Sequence, residues 1–90
     1  MPAYLITFDL NRTGQNYDGL KRAIESYGLC RKIATTTFVV ISNKSSAAIV
    51  DHLLSYIDNN DEIFVGRLAG EAGWYGLGDN TTAWLQENLN

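Results

Sequence analysis

Two stretches of the chain repeat their apolar residues at helical spacing, and segments of strand character flank each of them. Tyr17, Leu20, Ile24 and Tyr27 form the first stripe, and Ile49, Val50, Leu53, Leu54 and Ile57 form the second. Before the first stripe, YLITFD (4–9) alternates, with Tyr4, Ile6 and Phe8 pointing one way and Leu5, Thr7 and Asp9 the other. Between the stripes, residues 30–34 and 36–41 read as two strands joined by a short link near Ala34 to Thr36. The FVVI run in the second of these is apolar on both faces, as expected of a strand covered on both sides. After the second stripe, DNND is a turn and DEIFVGRLA (61–69) is a fourth strand. GEAGWYGLGD holds four glycines in ten residues and reads as a loop, and TTAWLQENL closes the chain as a short helix.

Local chemistry agrees with these boundaries. Asn16 is an N-cap candidate for a helix over 17–27, and Gly28 stands where a left-handed C-terminal glycine belongs. Ser45 or Ser46 suits the start of a helix over 46–57, and Asp79 or Asn80 the start of the last helix.

The resulting order, βαββαβ plus a C-terminal helix, predicts an α+β, ferredoxin-like single domain over residues 1–90. Its sheet has four antiparallel strands with both main helices on one face. The other sheet face then needs cover, and Leu5, Val39, Ile41 and Phe64 or Val65 are its candidate residues. Two arrangements supply it: a second copy packing sheet to sheet, or the C-terminal helix folding back. Trp74 and Trp84 suit either.

Composition narrows the functional classes. An apolar fraction of 46% fits a folded chain, and no apolar run approaches the roughly 20 residues of a membrane span. The N-terminus lacks the basic and small-residue pattern of a signal peptide, and a single cysteine, Cys30, allows no internal disulfide, so a cytoplasmic protein is expected. A net charge of −3 argues against a general nucleic-acid coat. The charge is uneven: residues 1–32 carry five basic and three acidic side chains, and the remainder two against seven. Arg12, Arg31, Lys32 and Arg67 are the candidates for a local phosphate-binding patch; ordinary solvated charge is the other reading.

Asp9 is the residue that most invites a functional reading, because it ends an apolar strand on a carboxylate. Such a residue can simply hydrogen-bond loop amides. It can also hold a divalent cation, since magnesium takes one or two carboxylates plus water. A two-fold pair of Asp9 side chains would supply two. Asp61, at the opening of a strand that runs against the first, is the second metal candidate. His52 reads as a partly exposed helix residue and Cys30 as a small core residue.

Several motifs carry a resemblance. YLITFDL, YDGLKRAI, DEIFVGRL and WLQENL, in this order and spacing, resemble the CRISPR-associated adaptation-module endoribonuclease superfamily, with its virulence-associated protein D relatives. More closely, the chain resembles short stand-alone Cas2-like proteins of the "SinR family" kind. The resemblance implies a ferredoxin-like homodimer in which Asp9 of each subunit lies near the interface and the pair holds Mg²⁺ or Mn²⁺. It implies a metal-dependent nuclease acting on RNA or DNA, or a non-catalytic scaffold that binds nucleic acid or protein. Only Asp9 matches the catalytic position; Asn11 and Arg12 are candidates by adjacency. The parent family ends in an extra strand where this chain has a glycine-rich loop and a helix, which counts against an integrase-bridging role.

Overall fold

The computed structural model describes residues 1–10 and 17–89. Its elements are β1 (Ala3–Asp9), α1 (Tyr17–Glu25), β2 (Cys30–Ala34), β3 (Thr37–Ile41), α2 (Ser46–Leu53), a 3₁₀ turn (Leu54–Tyr56), β4 (Glu62–Arg67) and α3 (Asp79–Asn88). The strands form one antiparallel sheet in the order β2-β3-β1-β4, the ferredoxin-like arrangement expected from the sequence. Among the described residues, no helix is long and apolar enough to cross a membrane.

Local departures from the expected boundaries have local causes. The first helix stops at Glu25, and a turn then leads to Gly28 at φ 88°, the left-handed glycine anticipated there. The second helix tightens into the 3₁₀ turn after Leu53. Its start is capped by Ser45, whose Oγ accepts from the Ala48 amide at 3.1 Å. At the last helix the residue before the first turn is Gly78, so Asp79 lies inside the helix, where its charge complements the N-terminal dipole. Asn16, the cap candidate for α1, lies outside the described residues.

The strand alternation divides the core in two. Tyr4, Ile6, Phe8, Phe38, Val40 and Val65 face α1 and α2, where they pack on Leu20, Ala23, Ile24, Ile49 and Leu53. On the opposite face, Ala3, Val39 and Ile41 pack against Leu85 of α3, with Leu5, Trp74, Leu77 and Trp84 around them. Of the two arrangements considered for that face, the structure therefore shows the C-terminal helix folded back. Two hydrogen bonds pin it there: Arg31 Nε donates to Thr81 Oγ1 at 3.0 Å, and the Trp74 indole N–H donates to Thr82 Oγ1 at 3.1 Å.

Candidate functional site

The cover provided by α3 is partial, and the reason is register. Along β1 the outer-face residues are Ala3, Leu5, Thr7 and Asp9, and α3 packs at the Ala3 end. Thr7 pairs with Thr37 on one side and Phe64 on the other, and Asp9 pairs with Glu62. These residues make up the other half of the face. The hydroxyls of Thr7 and Thr37 hydrogen-bond at 3.0 Å, so the strip is polar at its centre. Phe64 is 61% exposed. Its ring lies over Gly66: a Cβ built on that glycine would come within 2.8 Å of the ring's Cε2.

Asp9 and Glu62 are both exposed and close this strip. Directly opposed residues of an antiparallel pair have Cβ atoms about 4.5–5.5 Å apart, so the two carboxylates are neighbours. They border a shallow depression of about 230 Å³ lined by Thr7, Phe8, Asp9, Glu62, Ile63 and Phe64. Among the described residues no group of three or more histidine, cysteine or acidic side chains is placed to hold a metal ion. A single chain thus offers the Asp9–Glu62 pair, and its hard oxygen donors fit the small carboxylate complement of magnesium or manganese.

Asp61 has a different place. Its Oδ2 accepts from the Asp58 amide at 2.8 Å while its own amide donates to the Asp58 carbonyl at 3.1 Å, so it closes the turn before β4. Glu62 is the acidic residue across from Asp9. The two acids are adjacent in sequence, and only the β1–β4 register distinguishes the one opposite Asp9.

Among the described residues, the basic candidates do not gather around Asp9. Arg31 points to the outer face but is engaged with Thr81 of α3. Lys32 lies on the helix side, its Nζ 6.0 Å from the centre of the Tyr17 ring. Arg67 pairs with Tyr4, at the end of β4 opposite Glu62. Asn11 and Arg12 lie outside the described residues.

The remaining polar chemistry is on the helix side of the sheet. His52 is half-buried, with Nδ1 2.8 Å from the Tyr27 hydroxyl and its ring edge-on to Tyr56. Burial raises the Tyr27 pKa. Cys30 is half-buried, and burial, aided by the negative charge of Glu25, pushes its thiol up to about 11. It is a thiol and not a thiolate near neutral pH, which makes it a poor nucleophile.

No protein-family model matches the chain, and no curated protein matches it.

Proposed function

We propose that the protein acts as a Cas2-like homodimer, a Mg²⁺- or Mn²⁺-dependent nuclease on RNA or DNA with Asp9 at its centre. The observation that carries this reading is the half-covered outer face. Because α3 stops short of it, Asp9, Glu62 and the exposed Phe64 share one open strip. A second copy meeting that strip about a two-fold axis would bury Phe64 and bring two Asp9–Glu62 pairs toward the axis. Asp9 and Glu62 are the residues that would hold the ion. A bound ion there would activate water and offset charge on the phosphate oxygens. The protein's own task is to hold the two carboxylates on rigid strands and to orient the phosphodiester beside them.

The test is cleavage of labelled single-stranded RNA and duplex DNA with Mn²⁺, by wild type, Asp9→Asn and Glu62→Gln. Loss of at least about a hundredfold in Asp9→Asn, with dimerisation retained, is the expected result. Cleavage that survives in Asp9→Asn, or no cleavage by wild type of either substrate, would overturn the catalytic reading.

One observation favours the second reading, a non-catalytic scaffold, in its protein-binding form rather than its nucleic-acid-binding form. Arg31, Lys32 and Arg67 all lie away from Asp9, so the described residues around the carboxylates supply no cation for a phosphate. On that reading Asp9→Asn leaves partner binding unchanged.

A further inference from the structure

β4 is the last strand on its side of the sheet, and its free edge has no part in the function proposed above. The Leu68 amide donates to the Ala3 carbonyl at 2.9 Å, in step with the β1–β4 register. Along an antiparallel ladder, hydrogen-bonded pairs alternate with unbonded ones. Phe64 and Gly66 therefore turn their N–H and C=O groups toward β1, and Ile63, Val65 and Arg67 turn theirs away from the sheet. Among the described residues, no backbone group bonds to those outward groups.

The two edges of the sheet differ in how they are guarded. β2 carries Arg31 and Lys32, and its pairing with β3 shifts register between Lys32 and Ala34. Edge charges and bulges are devices that keep a further strand from adding. Between its ends β4 has neither. It pairs with β1 without a break from Glu62 to Arg67, and Ile63, Phe64, Val65 and Gly66 are uncharged.

This edge is also complementary to itself. A two-fold axis through Val65, perpendicular to the sheet, pairs Val65 with its own counterpart and Ile63 with Arg67 of the second copy. No other two-fold register matches all three outward residues of one copy to those of the other. The same register sets Phe64, an exposed ring, beside Gly66 of the second copy, so a bulky side chain faces none. Aromatic rings cover edge glycines in this way. The Glu62 end of one strand meets the Arg67 end of the other, which keeps like charges apart.

We infer that the β4 edge binds a second copy of this chain, the two β4 strands pairing antiparallel with Val65 on the two-fold axis and joining two sheets into one. The contact is isologous and occupies both edges, so it closes on itself. Main-chain hydrogen bonds supply its affinity. It is separate from the outer-face contact and does not rest on it. A protein making both contacts assembles beyond the dimer.

The test is exchange of backbone amides with water, followed by ¹H–¹⁵N NMR on the full chain. Two short strands bury less than the roughly 1,200 Å² of stable complexes, so the concentration should span about 10 µM to about 1 mM. Exchange at Ile63, Val65 and Arg67 should slow about threefold or more across that range, while Phe64 and Gly66, bonded to β1, stay protected throughout. Arg67→Pro removes one outward donor at an exposed position, where an edge strand tolerates proline. In this variant Phe64 and Gly66 should stay protected, and the slowing at Ile63 and Val65 should vanish. Rates at Ile63, Val65 and Arg67 that do not change with concentration would overturn the assignment without any variant. So would the same slowing in a folded Arg67→Pro. The outer-face contact bonds none of these amides, so the cleavage assay and this alternation stand or fall separately.

Discussion

Asp9 and Glu62 are directly opposed partners at the last pair of the β1–β4 ladder, two like charges on the open half of the outer face. Opposed like charges disfavour the pairing they sit on. The pair therefore carries a small stability cost in the isolated chain.

That cost gives the first prediction. Asp9→Asn and Glu62→Gln should each raise monomer stability by a few tenths of a kcal/mol while weakening Mn²⁺ binding at least about tenfold. Urea denaturation read beside calorimetric titration checks both signs at once. Lower stability in both variants would show that these carboxylates serve the fold.

The second prediction concerns Phe64 and Gly66. Phe64→Ser removes an exposed ring, so monomer stability should stay within about 0.5 kcal/mol. Self-association, measured by sedimentation, should weaken more than about tenfold, since a central aromatic contact dominates a small interface. Gly66→Ala should act more mildly in the same direction. Its Cβ meets the far end of the Phe64 ring, which can swing aside and would then leave its position over the glycine.

The third prediction tests the cover provided by α3. Leu85 is 2% exposed against Ala3, Val39 and Ile41. Leu85→Ala should cost about 2–4 kcal/mol, the range for truncating a buried leucine. Hydrogen exchange should quicken in α3 before it does in β1 or β3, because one short helix is released while the sheet keeps its other face packed.

The fourth concerns pH. Folding raises the Cys30 pKa from 9.0 to about 11, by burial first and by Glu25 second. Its contribution to stability is fully present below about pH 9 and is lost as pH rises through about 11, because the unfolded chain gives up the thiol proton first. Cys30→Ala should flatten the decline in stability between those values, and Glu25→Gln should flatten it partly. An unchanged slope in Cys30→Ala would contradict the burial account.

Much of the fold is legible in the residues themselves. The Tyr4–Ile6–Phe8 alternation marks the helix-covered face of β1, and the Leu20–Ile24 and Ile49–Leu53 spacings mark the helices that cover it. Ser45 and Gly28 announce a helix start and a helix end. What covers the outer face is not legible, because Leu85 and Trp84 suit an intramolecular and an intermolecular contact equally until the loop from Gly70 to Gly78 is traced in space. The candidate site is half legible. Asp9 stands out as a carboxylate ending an apolar strand, but its neighbour depends on register, and a shift of one residue separates Asp61 from Glu62. The basic residues mislead for a related reason. Arg31 and Lys32 are adjacent in sequence and point to opposite faces of β2, so nearness along the chain does not make a patch.

The most direct measurement is the position of Asp9 relative to its two-fold mate in crystals of the protein soaked with Mn²⁺, read from the anomalous signal. The account predicts a dimer joined through the open half of the outer face, with Mn²⁺ bound by Asp9 and Glu62 near the axis and the nearest oxygens of the two Asp9 side chains about 4–6 Å apart, as two ligands at about 2.1 Å from one ion permit. A dimer that leaves Phe64 exposed, with the two Asp9 side chains far from any common ion and no anomalous peak beside either, would contradict it.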